Sequence, residues 1–292
     1  MASDGDVSKL KTALVTGATD GLGRATALML AANGYRVFGG GRNAGRLASL
    51  QAEASQRRLP LTALEMDVTS DESVDLAIET IQKAAGTIDI LINNAGIGVI
   101  APLEQISIAD LRRQYETNVF GVVRVTQRVL PGMRAKGRGR IVNMSSVAGK
   151  VSTPLFGPYS SSKFALESIS DAWRLELAQF GIQVILIEPG FIPSGMEGAA
   201  RELSGAYINA DPGPYAGIKS GFESMWAEET RSAKYVPDDC ARVILNALRA
   251  ARPKARYPVT RTATIMTLVR RILPDRTLDG LILGRYKLPK AT

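Results

Sequence analysis

The chain alternates short aliphatic and β-branched runs with longer stretches whose apolar positions recur every three or four residues. The short runs predict strands at Thr12–Thr16, Arg36–Gly39, Leu61–Met66, Ile88–Ile92, Arg140–Met144 and Gln183–Ile187, with a seventh at Arg256–Thr260. The longer stretches predict helices, among them Leu22–Ala32, Asp71–Ala84, Ile108–Met133 and Phe164–Phe180. Strands separated by helices pair in parallel, and right-handed crossovers put those helices on both sheet faces. The expected fold is α/β, a single doubly wound parallel sheet of about seven strands.

Residues 191–235 break this rhythm. Gly and Pro are frequent there, together with Phe191, Met196, Tyr207, Tyr215, Phe222, Met225 and Trp226. An irregular segment following a strand's carboxyl end, where open α/β sheets bind ligands, is expected to form a substrate lid. In residues 261–292, the apolar Ile265, Met266, Leu268, Val269, Ile272 and Leu273 flank Arg270 and Arg271. This basic amphipathic tail is expected to dock on its own domain or a sister subunit, or to make peripheral contact with an anionic membrane.

Charge sharpens that picture. Of the +8 net charge, the segment from Arg249 onward holds eleven Lys/Arg against two acidic residues, so the rest is near neutral. Without interleaved aromatics the basic stretch does not point to nucleic acid. The chain has no histidine and one cysteine, Cys240. That excludes Ser-His-Asp and Cys-His hydrolases and an internal disulfide, and argues against a metal site. Residues 1–10 read as an N-terminal extension without a secretory pattern, and a cytoplasmic location is expected.

Two stretches carry chemistry. "TGATDGLG" (Thr16–Gly23) closes the first strand and opens the first helix. Gly17 permits a tight turn, Gly21 close approach of a pyrophosphate, and Gly23 close helix–strand packing. The helix N-terminus offers free N–H groups to phosphates. "YSSSK" places Tyr159 and Lys163 four residues apart, on one helix face. A free tyrosine has a pKa of about 10, and a nearby ammonium stabilises its phenolate. The pair can therefore do acid–base work without an imidazole.

With "NNAG" (Asn93–Gly96), "NVFG" (Asn118–Gly121), "NMSS" (Asn143–Ser146) and "PGFIPS" (Pro189–Ser194) in the same order, the sequence resembles the short-chain dehydrogenase/reductase family from about Lys11 to Ser194. "YSSSKFALES" resembles its hydroxysteroid and retinol dehydrogenase branch. The resemblance implies a Rossmann-type catalytic domain over residues 11–260. It assigns Tyr159 as proton donor, Lys163 as its electrostatic support, Ser146 rather than Ser145 as the residue orienting the substrate oxygen, and Asn118 as part of a water-mediated relay through Lys163. Ser160, Ser161 and Ser162 are expected to be spacers. Cofactor contacts are implied for Thr16, Gly17, Thr19, Asp20, Gly21, Leu22 and Gly23, for Asp67 and Val68 at the adenine, and for Asn94, Ala95 and Gly96. Tyr159, Lys163, Pro189, Gly190, Ile192 and Ser194 complete the implied set, Ser194 standing where the family usually has Thr.

In "FGGGRN", Gly41 occupies the place of the acidic residue that binds a ribose 2′-hydroxyl, and Arg42 follows. A guanidinium there suits a 2′-phosphate, so NADP(H) is expected over NAD(H). Arg24 is a poorer candidate for that contact. The expected activity is metal-free interconversion of an alcohol and a ketone or aldehyde on a lipophilic, steroid-, retinoid- or keto-lipid-like compound. Family habit implies a homodimer or homotetramer built on helices around residues 108–133 and 157–180. A nucleotide sensor or scaffold, or a dehydratase or epimerase, are the alternatives; retention of Ser146, Tyr159, Lys163 and Asn118 together argues against the sensor.

Overall fold

The computed structural model describes residues 10–209 and 213–288. Seven strands form one parallel sheet: β1 (Lys11–Thr16), β2 (Tyr35–Gly41), β3 (Leu61–Glu65), β4 (Ile90–Asn93), β5 (Gly139–Met144), β6 (Ile182–Glu188) and β7 (Arg256–Pro258). Their order is β3-β2-β1-β4-β5-β6-β7. The order reverses between β1 and β4, and that switch point opens a crevice at the strands' carboxyl ends. The expected strands are all present, with ends shifted by at most two residues.

Strand alternation decides which helix each side chain meets. Ala13, Val15, Ile90 and Ile92 face one layer, made by α1 (Gly21–Ala32), α2 (Ala44–Gln56) and the later helix Pro237–Arg249. Leu14, Leu91, Ile141 and Val184 face the other layer, which contains α3 (Asp71–Ala85). Both faces are covered, which explains why the strands read as continuous apolar runs.

The expected helix 108–133 is interrupted. Chain order gives α4 (Ile108–Tyr115), a single π-helical turn at Glu116–Phe120, and α5 (Gly121–Ala135). The helix expected at Phe164–Phe180 starts earlier, as α6 (Gly157–Glu176), so Tyr159 lies in its first turn.

The segment 191–235 is a correction to the sequence reading. It is mainly helical, with α7 (Met196–Leu203), α8 (Gly205–Ile208) and α9 (Ala216–Ser232), followed by α10 (Pro237–Arg249). Tyr207 and Tyr215 tie it down, the first hydrogen-bonding Asp110 and the second Glu104.

The tail forms α11 (Arg261–Ile272) and α12 (Asp275–Arg285). It docks on the body of its own chain through Ala263, Leu278 and Tyr286, all buried. The Tyr286 hydroxyl donates to Pro154 O at 3.1 Å, and a Cβ on Gly221 of α9 would stand 2.3 Å from Tyr286 O. The outward face leaves Ile265, Leu268, Ile272 and Leu281 exposed. Removing a buried aromatic costs roughly 3–5 kcal/mol. Tyr286→Ala should therefore release the tail, and limited trypsinolysis read by mass spectrometry should show faster cleavage after Arg270 and Arg271.

Candidate active site

The glycine turn between β1 and α1 is built by contacts that only glycine permits. Gly17 has φ +62°, and a Cβ there would lie 2.9 Å from Ala95 Cα; one on Gly23 would lie 2.2 Å from Gly17 O. Thr16 locks the turn to β4, its Oγ1 accepting from the Asn94 and Ala95 amides, while Asn94 Nδ2 donates to Thr16 O and Gly17 O. Asp20 caps α1, accepting from Gly21 N at 2.8 Å, and pairs with Arg46 at 3.0 Å. Leu22, by contrast, lines the large cavity described below. The close approach at Gly21 is made by the chain itself: a Cβ there would meet Ser194 O at 2.2 Å.

At the end of β2, a Cβ on Gly41 would fall 2.5 Å from Thr19 Cγ2, so a side chain is excluded without a shift of the turn. Arg42 extends past it, exposed, with Nη1 3.7 Å from Asp67 Oδ2. Burial opposes ionisation of Asp67, but hydrogen bonds from Thr69 and the Arg42 charge outweigh it and hold the carboxyl below its usual range. Arg24 pairs instead with Glu53 of α2. Arg46, in the first turn of α2, is a second exposed cation that sequence reasoning missed; only the fold brings it beside Asp20. Val68 is buried, and Gly121 is glycine because a Cβ there would lie 2.9 Å from Val68 Cγ2. The glycine turn at the start of α1 fits the pyrophosphate of a dinucleotide.

The acid–base group assembles where β5 ends. Lys163 is buried and donates from Nζ to Met144 O at 2.7 Å. Ser146 caps the short 3-10 turn Val147–Gly149, its Oγ accepting from Ala148 N at 3.1 Å and donating to Pro189 O at 3.4 Å, while Ser145 Oγ donates to Glu167 Oε1 at 2.5 Å. Burial pushes the Tyr159 phenol up to about 12, against the pull of Ser146. Burial also pushes the Lys163 ammonium down to about 8, against the charge of Glu167.

Asn118 comes in from the π turn. Its Oδ1 accepts from Ile97 N at 2.9 Å, and its Nδ2 donates to Ile97 O at 2.9 Å and Ser162 Oγ at 3.1 Å. Ser162 is therefore no spacer: it joins Asn118 to α6 and donates to Tyr159 O at 2.7 Å. A Cβ on Gly96 would stand 3.4 Å from Asn118 Oδ1 and 3.8 Å from Lys163 Nζ, so this group adjoins the glycine-turn crevice.

A cavity of about 270 Å³ lies over Ser146, Tyr159 and Lys163, bordered by Pro189, Gly190, Ile192 and Ser194 from the segment after β6. Ser194 is held by Glu197, whose carboxylate accepts from its amide at 3.0 Å. Gly190 is likewise confined: a Cβ there would lie 2.3 Å from Thr260 Oγ1. An aromatic wall encloses the cavity, with Phe156 stacked on Trp226 at 6.1 Å and Phe191 edge-on to Trp226 at 5.5 Å. The tail contributes Thr262, Met266 and Arg285, the last paired with Glu229. Residues 261–288 are therefore part of the pocket wall, not an appendage. Leu155 holds φ +68°, a conformation costing a bulky L-residue about 1–2 kcal/mol, and stays buried beside this wall.

Residues 11–204 match the short chain dehydrogenase family. The chain is 35% identical over 280 residues to an NADPH-dependent 3-dehydrocapnine reductase of Ornithobacterium rhinotracheale, covering 93% of this chain and 96% of that protein. It is 32% identical over 274 residues to retinol dehydrogenase 8 of Bos taurus, covering 92% and 87%. A short-chain dehydrogenase/reductase of Burkholderia phymatum, solved in complex with NAD, superposes with a TM-score of 0.79 at 25% identity over 97% of both chains. On sequence and fold together, this chain belongs to the short-chain dehydrogenase/reductase family of oxidoreductases.

Proposed function

We propose that the chain is an NADP(H)-dependent enzyme that interconverts an alcohol and a ketone or aldehyde on a lipophilic substrate. The observation that carries this reading is the convergence of Ser146, Tyr159 and Lys163 on the floor of an aromatic-walled cavity. In reduction, Tyr159 donates its phenolic proton to the carbonyl oxygen while Ser146 donates a hydrogen bond to the same atom. The Lys163 ammonium stabilises the phenolate that remains. Asn118, locked by Ile97 and Ser162, fixes the neighbouring end of a relay. A nicotinamide cofactor, when bound along the glycine turn, supplies or accepts the hydride.

The apolar walls Phe156, Phe191, Trp226 and Met266 favour a steroid-, retinoid- or keto-lipid-like compound. Relatives named for reduction of 3-dehydrocapnine and for retinol support that class. The exposed Ile265, Leu268 and Ile272, with exposed Arg271 beside them, give the tail a face suited to an anionic lipid surface next to the pocket. Phe120 and Phe164 are exposed on the helical layer that would join subunits of a homodimer or homotetramer.

The NADP(H) preference rests on Gly41, Arg42 and Arg46. Hydrogen bonds to a charged group contribute about 1.5–3 kcal/mol, so losing the Arg42 guanidinium should cost roughly 10- to 100-fold in NADPH affinity. Fluorescence titration of Arg42→Ala should show that loss with NADH affinity little changed. Tighter binding of NADH than NADPH by the unaltered protein would contradict the preference.

A further inference from the structure

A buried charged cluster lies beneath the acid–base group. Glu167 is one helical turn beyond Lys163 on α6 and only 5% exposed. Its Oε1 accepts from Ser145 Oγ at 2.5 Å, and its Oε2 pairs with Lys150 and with Arg256 Nε, the latter at 3.0 Å. Glu188, at the end of β6, faces the same cations, with Oε1 3.7 Å from Lys150 Nζ and 3.4 Å from Arg256 Nε. Arg256 also reaches Asp171 at 2.7 Å, which in turn pairs with Arg174 at 3.1 Å. Gly149 makes room for this packing: a Cβ there would lie 2.8 Å from Ser145 Oγ and 3.1 Å from Glu167 Cγ.

We propose that Glu167 is a positioning residue, which anchors the Met144–Ser146 strand end through Ser145 and serves as the buried counter-charge that keeps Lys163 an ammonium. The inference rests on the assignment of Lys163 to the proton-transfer step. Two links in the geometry carry it. Met144 O takes the Lys163 ammonium and Ser145 takes the Glu167 carboxylate, so consecutive residues at one strand end are tied to α6. Among the described residues no carboxylate is hydrogen-bonded to Lys163, and Glu167 is the acid whose charge opposes its loss of a proton on burial. Burial and the nearby Glu167 carboxylate both raise Glu188 above the usual carboxylate range.

The sign of the effect follows. Reduction needs Lys163 protonated, so its rate falls as pH rises through the lysine's pKa. Removing the Glu167 charge lowers that pKa and moves the alkaline limb toward acid, by about one pH unit for a buried carboxylate one helical turn away. The test is the pH profile of kcat for ketone reduction at saturating NADPH, for the unaltered chain, Glu167→Gln and Glu167→Asp. The expected result is a limb displaced to lower pH in Glu167→Gln and displaced the same way by a smaller step in Glu167→Asp. A lowered kcat with an unmoved limb in a folded Glu167→Gln protein would overturn the proposal, because a purely structural role leaves the lysine's pKa alone. Should Glu167→Gln not fold, Glu167→Asp decides: its retracted carboxylate should move the limb the same way by a smaller step, and an unmoved limb overturns the proposal. If the unaltered chain reduces no ketone, the assignment of Lys163 fails instead, so the two failures are distinguishable.

Discussion

Tyr159→Phe should abolish turnover while leaving the fold and most NADPH affinity in place. A positioned general acid contributes about 10²–10⁴ in rate, and no second acid is hydrogen-bonded to Ser146 among the described residues to replace it. The ring packs edge-on against Phe156 at 6.5 Å, and phenylalanine keeps that contact. The lost hydroxyl forfeits one hydrogen bond, worth about 1 kcal/mol, so thermal unfolding should change little. Steady-state kinetics, NADPH titration and a melting curve on one preparation separate these terms. Retained turnover would refute Tyr159 as the acid.

Lys163→Met should be nearly as damaging, with an expected loss of about 10²–10³ in kcat, because the phenolate left by proton transfer then has no cation beside it. This variant also makes a claim about pH. In the unaltered chain the ammonium is present below about 8 and lost above it, so reduction should decline across that range. The phenol, raised to about 12, stays protonated throughout and contributes no limb of its own there. Lys163→Met removes the titrating group, and its residual rate should be flat with pH between about 6 and 9. A surviving limb near 8 would assign that ionisation to another group.

The parts of the site that sequence revealed are local. Gly17, Gly21 and Gly23 lie within one turn, and Tyr159 and Lys163 within one helical repeat, so their spacing already fixes their neighbours. The π turn at Glu116–Phe120 was hidden because widening a single helical turn barely disturbs apolar periodicity over a long helix. Helix α9 was hidden by its glycines. Gly221 weakens the helical signal, yet it is required by the Tyr286 carbonyl packed against it from the tail. The tail's role in the pocket was equally unreadable, since Met266 and Arg285 join Trp226 in lining the cavity only after docking. The cluster around Glu167 draws on Ser145, Lys150, Glu188 and Arg256, residues from separate elements with no shared spacing. Ser162 is the closest case: it was in view inside "YSSSK", but its partner Asn118 is 44 residues away.

The most direct test of the central claim is to mix the protein with NADPH and a panel of ketosteroids, retinal and long-chain keto-lipids, following NADPH absorbance and identifying the product. The account predicts NADPH consumption matched one-for-one by a product alcohol, with a lipophilic carbonyl preferred over small polar ones. Conversion of substrate to an epimer or dehydrated product with no net change in NADPH would contradict it.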